Sequence, residues 1–485
     1  MKKPLKSTEQ KSRTSTNKNK EFVTITYIFV GMFILMMGYF IYFQFFMSED
    51  FINSPYNTRQ NKFAEHVVRG SIISADGKTL AETIIGEDGS EIRYYPYGNM
   101  FAHAVGYDSN GKSGIESIAN FNLLRSHAFF LEKTVNGIQN EKNVGDNVIT
   151  TLDYSLQEAA YNALGNNRGA VVAMDPKTGK ILTWVSKPDF NPNTIASDWD
   201  SIISNTDGNN SVLLNRVSQG LYPPGSTFKI LTTLEYIREN PDYSGYSYEC
   251  TGKISMEDTE IHCYNNAVHG AEDLKTSFAK SCNTSFANIG LSLNKTSFKK
   301  LCDKLLFNQE IPTSYPFKKS SFVLNKDSGT GETMQTAIGQ GKTLVTPLHM
   351  NLITSAIANN GKLMNPYIID HTENYKGIPV KEYKPSEYGS LLEEKEAALM
   401  QEFMAGVVSD GTGSKLSGQV YQAAGKTGSA EYSNTKGESH AWFTGYASTE
   451  EKGTIAVTVI VEGGGAGSAV AVPIAKQLFD TYFSN

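Results

Sequence analysis

From Phe22 to Ser48 the chain runs for 27 residues without a charge, FVTITYIFVGMFILMMGYFIYFQFFMS. As a helix rising ~1.5 Å per residue this stretch is about 40 Å long, enough to cross a hydrocarbon core of ~30 Å. Glu49 and Asp50 close it. Ahead of it, residues 1–20 hold seven cations (Lys2, Lys3, Lys6, Lys11, Arg13, Lys18, Lys20) and one anion, Glu9. Positive charge stays on the cytoplasmic side, so the expected topology is single-pass in the cell membrane, with a cytoplasmic N-terminus and an extracytoplasmic remainder. A cleavable signal peptide has an apolar region of only ~7–15 residues and a small-residue cleavage site. FFMSEDFINSP offers no such site, so the segment reads as an uncleaved anchor.

The chain has 485 residues, and its 44 basic and 50 acidic side chains give a net charge of −6. Because residues 1–20 carry +6, the other 465 carry −12. An acidic body argues against nucleic acid as a partner, since phosphate binding needs a basic face. The basic tail is explained by the anchor that follows it.

Turn signals divide the next segment: Asp76-Gly77, Glu87-Asp88-Gly89 and Ser109-Asn110-Gly111 separate short apolar runs. They predict hairpins in a β-rich module over residues 49–150, with a short helix near Ile115–Leu124. Beyond Thr150 the pattern changes. Leu152–Leu164 has helical periodicity, and Arg168–Met174 and Lys180–Val185 are strand-like runs joined by Asp175-Pro176-Lys177-Thr178-Gly179. A long helical middle follows. Strand-like runs return at Ala441–Ala447 and Thr454–Glu462, before an apolar helix near Ala469–Tyr482. Strands at both ends of a helical middle predict an α+β fold, with an antiparallel sheet covered by helices.

Three short motifs carry chemistry as a set: S-x-x-K, S-x-N and K-T-G belong together in penicillin-interacting serine enzymes. Singly they are weak. S-x-x-K also occurs at Ser15, Ser109, Ser277, Ser292, Ser297 and Ser433, and K-T-G occurs at both Lys177 and Lys426. Context selects Ser226-Thr227-Phe228-Lys229, which follows the loop Tyr222-Pro223-Pro224-Gly225 and opens an apolar helix. A serine there sits at the positive end of a helix dipole, with Lys229 one turn away on the same face. Phe228 and Ile230 are expected to desolvate the lysine and lower its pKa, so that a neutral amine can accept the serine proton. The competing reading is a capped helix with a surface lysine. Ser281-Cys282-Asn283 falls in a helix-to-loop stretch, where a polar helix terminus is the plainer alternative. Lys426-Thr427-Gly428 precedes two strand-like runs and suits binding of a substrate carboxylate, with Gly428 allowing close backbone approach. The copy at Lys177 lies between two strands and reads as a turn. Gly463-Gly464-Gly465-Ala466-Gly467 has no G-K-[ST] after it and reads as a strand-to-helix turn, not a phosphate loop.

The four cysteines, Cys250, Cys263, Cys282 and Cys302, fall within 53 positions. Outside the cytoplasm Cys250–Cys263 is a candidate disulfide. Cys250, Cys263 and Cys282 with His262 or His269 form an alternative zinc set, although C-x12-C matches no standard finger spacing. Free or paired thiols are the expectation, with no metal and no cofactor at the catalytic residues.

With the three motifs in this order, the sequence resembles a class B penicillin-binding protein, a monofunctional peptidoglycan D,D-transpeptidase. RGSIISADGKTLAE at Arg69–Glu82 is similar to the family's pedestal signature. TLDYSLQEAA, GAVVAMDPKTGKILTWVSKPDFNPN, YPPGSTFK, AIGQGKTLVTPLHM, AGKTGSAE and HAWFTGYA resemble blocks of its transpeptidase domain. Ser429 departs from the family's usual Thr after K-T-G but keeps a hydroxyl. The resemblance implies a basic tail (1–21), an anchor (22–48), a β-rich pedestal (49–150) and a transpeptidase domain of the serine β-lactamase-like fold (151–485). The pedestal is too short for the glycosyltransferase of bifunctional relatives.

The resemblance also implies roles. Ser226 is the acylated nucleophile, releasing the terminal D-Ala of a stem peptide, and Lys229 is its general base. Ser281 and Lys426 relay a proton to the leaving amine. Asn283 orients the donor amide, Lys426 and Thr427 hold the carboxylate, and the N–H groups of Ser226 and Ser429 form the oxyanion hole. The implied partners are peptidoglycan stem peptides, β-lactams as covalent inhibitors, and a SEDS-type glycan polymerase. A serine β-lactamase or D,D-carboxypeptidase, passing the acyl group to water, is the alternative.

Overall fold

The computed structural model describes residues 16–47, 65–139, 141–205, 207–208, 211–432 and 438–484. Most of the basic tail, the closing residues Glu49 and Asp50, and the rival serines Ser15 and Ser433 lie outside the described residues. The chain forms two compact units, Met1–Thr58 and Arg59–Asn485.

In the first unit an α-helix runs from Thr16 to Tyr42 and continues as a π-helical turn over Phe43–Met47. Within it Lys20–Phe45 is long and apolar enough to cross a membrane, and its apolar window is entirely unburied, unlike a core helix. Thr24 and Thr26 donate their hydroxyls to the carbonyls of Lys20 and Phe22, at 2.9 and 2.7 Å. Such back-bonding hides polar groups that have no water partner inside a bilayer.

The second unit is α+β and is built on two main sheets. One has six strands in the order Pro379–Glu382, Ile369–Glu373, Asn147–Thr150, Ile72–Ile73, Thr79–Ile85, Glu91–Tyr94. Two of the predicted turns join its strands: Gly77 lies between Ile72–Ile73 and Thr79–Ile85, and Gly89 between Thr79–Ile85 and Glu91–Tyr94. Both adopt φ near +80°, which glycine takes without penalty. Asn110, at the third, connects helices instead, and the predicted helix near 115–124 is two short ones, Gly114–Ile118 and Asn120–Leu123. Beneath this sheet Glu116 is fully buried between two arginines. It accepts from Arg69 Nε at 2.6 Å and Arg93 Nε at 2.7 Å. Burial alone would raise the Glu116 pKa; the two guanidinium charges overcome it and hold the carboxyl below its usual range. The strands at 369–382 were not foreseen, being short and polar.

The other sheet is antiparallel with five strands, in the order Gln422–Glu431, Ser439–Thr449, Gly453–Val461, Gly169–Met174, Ile181–Lys187. Its strands come from two stretches on either side of the helical middle, 169–187 and 422–461, as the strand-like runs predicted. The period of two sorts residues between its faces. Val171 and Ala173 pack with Leu156, Leu164, Val472 and Phe479 under the helices Tyr154–Leu164 and Ala471–Ser484. Ala170, Val172 and Met174 face the opposite core with Leu348, Leu352 and Ile353 of the helix Pro347–Ala358. Being covered on both sides, Gly169–Met174 is buried at every position, which is why it reads as a continuous apolar run. Lys177 lies in the turn before the last strand: Thr178 donates to Asp175 Oδ2 at 2.6 Å and Gly179 has φ +86°.

Candidate active site

Ser226 lies on a 3-10 turn, Gly225–Phe228, that runs directly into the helix Lys229–Glu239. The turn enters through Gly225 at φ +53°, whose N–H donates to Gly339 O at 2.9 Å. A β-carbon on Gly225 would stand 3.1 Å from Ser429 O, so the serine turn lies flush against the strand Gln422–Glu431. Phe228 anchors the turn from inside, with its ring 5.9 Å from those of Phe298, Phe307 and Phe322. Ser226 itself is half-buried.

Lys229 is fully buried. Its Nζ donates to Asn283 Oδ1 at 2.8 Å, Ser281 O at 2.8 Å and Ser281 Oγ at 3.3 Å, so the three donors of the ammonium have three oxygens from the S-x-N segment. The competing surface lysine is thereby ruled out. Burial lowers its pKa to about 8. The aromatic ring beside the ammonium is Phe286, 5.2 Å from Nζ, whereas Phe228 and Ile230 point into the core.

Ser281 is held at φ +59° in the turn between the helices Leu274–Ala279 and Asn283–Ser292. For a residue with a β-carbon this is an uncommon conformation. Two backbone bonds close the turn, Ser281 N to Phe278 O at 3.1 Å and Cys282 N to Ser277 O at 2.9 Å. Asn283 opens the second helix, and its Nδ2 donates to His262 O at 2.9 Å, which fixes Oδ1 toward Lys229.

Lys426, Thr427, Gly428 and Ser429 lie on the edge strand beside Ser226. Lys426 is fully buried, with Nζ 5.5 Å from the centre of the Phe278 ring. Burial first, and the Lys229 charge second, push its pKa well below the ordinary lysine value. Among the described residues no carboxylate pairs with it. The Thr427 hydroxyl is 2.5 Å from that of Thr412. At Gly428 a β-carbon would meet Trp442 Cβ at 3.1 Å, and Pro224 O and Thr227 Cγ2 at 3.2 Å. Ser429 Oγ accepts from Gly467 N at 3.4 Å.

The structure thus gathers Ser226, Lys229, Ser281, Asn283, Lys426, Thr427, Gly428 and Ser429 around one site. Two of the rival S-x-x-K lysines are engaged elsewhere: Lys280 pairs with Glu272 at 3.7 Å and Lys295 donates to Ser328 O at 2.5 Å. Sequence reasoning passed over Thr412, which carries no motif. It also read Gly467 only as a turn residue, whereas a β-carbon there would stand 2.4 Å from Gly428 O.

Behind Asn283, Cys250, Cys263, His269 and Cys282 bring one ligand atom each within 4.8 Å of all the others. All four cysteines are free, so the candidate Cys250–Cys263 disulfide is not formed. The Cys250–Cys263 and Cys263–Cys282 sulfur separations are both 3.7 Å, and Cys250 Sγ lies 3.4 Å from His269 Nδ1. Two thiolates on one tetrahedral zinc, at ~2.3 Å each, stand about 3.8 Å apart. The donor set therefore fits zinc. His262 is outside it, exposed and bound to Glu260 at 2.8 Å. The mutual hydrogen bond splits the thiols, pulling Cys263 below its ordinary pKa and pushing Cys282 above.

Residues 169–480 match the penicillin binding protein transpeptidase domain, and residues 69–148 the penicillin binding protein A dimerisation domain. The chain belongs to the penicillin-binding protein transpeptidase family. It is a class B member, a serine-type D,D-transpeptidase. It is 27% identical to the peptidoglycan D,D-transpeptidase MrdA of Acinetobacter baumannii, covering 80% of this chain and 65% of that protein. It is 29% identical to PbpA of Mycolicibacterium smegmatis, covering 83% and 87%. Among solved structures, the D,D-transpeptidase domain from Eggerthella lenta is 29% identical, with a TM-score of 0.76 over 86% of this chain and 98% of that one. Penicillin-binding protein A of M. tuberculosis, solved as a ceftriaxone acyl-enzyme complex, is 25% identical, with a TM-score of 0.78 over 87% and 99%.

Proposed function

We propose that Ser226 attacks the penultimate D-Ala carbonyl of a peptidoglycan stem peptide, releases the terminal D-Ala, and passes the acyl group to an amine of a neighbouring stem. The observation that carries this reading is the buried Lys229 amine, bound to the oxygens of Ser281 and Asn283. With a pKa of about 8, roughly a tenth of it is neutral at pH 7, one unit below. Substrate entry displaces the Asn283 amide toward the donor peptide, and the neutral amine takes the Ser226 proton. The oxyanion formed at the carbonyl is met by the N–H groups of Ser226 and Ser429, each worth about 3–4 kcal/mol. Ser281 and Lys426 return a proton to the leaving amine. Among the described residues Lys426 has no carboxylate partner, and the terminal carboxylate of the donor supplies one, with Thr427 donating to it. β-Lactams acylate the same serine.

In this reading residues 1–21 are a cytoplasmic tail, 22–48 the anchor, 49–150 the pedestal and 151–485 the catalytic domain on the outer side. The glycan comes from a SEDS-type polymerase in the membrane. Cys250, Cys263, His269 and Cys282 would hold zinc in a structural role, four protein ligands filling a tetrahedral site, and the ion would brace the turn that carries Ser281 and Asn283.

Cross-link formation on polymerised lipid II, with a glycan polymerase supplied, tests the activity. Wild-type chain should form cross-links and Ser226→Ala none. Release of hydrolysed donor without cross-links would move the assignment to a carboxypeptidase.

A further inference from the structure

We propose that Thr412 is a positioning residue for the carboxylate subsite, setting the Thr427 hydroxyl as a donor to ligands that end in a carboxylate. The inference rests on the reading above, in which Thr427 meets that group. Thr412 follows the helix Glu394–Ser409, in the loop Asp410-Gly411-Thr412-Gly413. Three contacts fix this loop. Thr412 N donates to Ala279 O at 3.2 Å, and Gly413 N to Val407 O at 2.9 Å. A β-carbon on Gly411 would stand 2.2 Å from Ala279 O, so only glycine allows the approach. Ala279 is the last residue of the helix that leads into Ser281. Thr412 therefore joins the S-x-N turn, through its backbone, to the K-T-G strand, through its side chain.

The two hydroxyl oxygens are 2.5 Å apart. Each hydroxyl has one proton and two lone pairs, and one proton suffices to link the pair. When Thr412 donates, the Thr427 proton is left over and free to turn toward a ligand. A hydroxyl that already accepts a hydrogen bond is also the stronger donor. Thr427 is largely buried, and Thr412 is the protein hydroxyl that meets its own. Without Thr412 the Thr427 proton has no fixed direction, and only ligands that use it should notice.

The test is a cycle between protein hydroxyl and ligand carboxylate. Second-order acylation constants are measured on the full chain in detergent, with penicillin G and with its methyl ester. Thr412→Val, which keeps shape and removes the hydroxyl, should lose about tenfold against penicillin G, the scale of one charge-assisted hydrogen bond. It should lose less than about twofold against the ester, and Thr412→Ser should recover to within about twofold of wild type on penicillin G. Equal loss on both ligands, or no loss on penicillin G, overturns the proposal. Ser226→Ala is run alongside: acylation of that variant would instead remove the parent reading, whatever Thr412→Val does.

Discussion

Lys229 Nζ and Asn283 Oδ1 lie 2.8 Å apart, and among the described residues no carboxylate forms an ion pair with the lysine. The amide oxygen holds the lysine as an ammonium at rest, and burial works against that charge. The base is thus poised between its two states, with a pKa of about 8. Acylation of Ser226 should rise as pH passes upward through about 8, because only the neutral amine accepts a proton. Stopped-flow acylation by a fluorescent penicillin checks this, and a flat profile between pH 7 and 9 would sink the assignment. Lys229→Arg stays charged throughout and should acylate about 10²–10⁴-fold more slowly, the usual range for loss of general base catalysis.

Gly428 separates the edge strand from the serine turn, with no room for a methyl group. Gly428→Ala forces Pro224 O and Trp442 Cβ, 3.2 and 3.1 Å from the new atom, to give way. Overpacking of this kind costs about 1–3 kcal/mol. The unfolding midpoint should fall accordingly, and because Pro224 leads into Ser226, acylation should slow about tenfold as well. A variant that unfolds earlier but acylates normally would contradict this.

The cysteine cluster should copurify with about one zinc per chain, measured by plasma emission, and Cys263→Ala should lose it. Chelation should slow penicillin labelling, because Asn283 hangs on the carbonyl of His262, next to Cys263. Full labelling by metal-free protein would refute the bracing role.

Glu116→Gln leaves Arg69 and Arg93 buried with one negative charge fewer. Breaking a buried pair costs about 3–5 kcal/mol, so the thermal midpoint should fall clearly while acylation at 25 °C persists. Since its folded pKa is depressed, the stability it contributes is present above the ordinary glutamate value and is lost as pH falls toward the folded one. The variant should therefore show a shallower acid destabilisation than wild type.

Much of this site was legible because its chemistry is concentrated in short motifs beside strong structural punctuation. Pro223-Pro224-Gly225 marks the serine turn, and the apolar runs around Lys426 mark a sheet. Choosing His269 over His262 was within reach: on the strand Thr259–His262, Ile261 points inward, so alternation turns His262 out. Thr412 was not legible, since its own placement is fixed by a backbone contact to Ala279, 133 positions earlier. Nor were the strands Ile369–Glu373 and Pro379–Glu382: the first pairs with Asn147–Thr150, over 200 residues away, the second pairs only with the first, and their polar residues carry little β signal.

The pairing of Ile369–Glu373 with Asn147–Thr150 bears on how such a chain can be recombined. A transplant of residues 65–150 alone would strip Asn147–Thr150 of its neighbour on that side. The transplant would then present a bare edge, the kind of surface that recruits a second copy edge to edge. A chimera that keeps this module soluble has to carry the hairpin at 369–382 along with it, so the exchangeable unit is discontinuous in sequence.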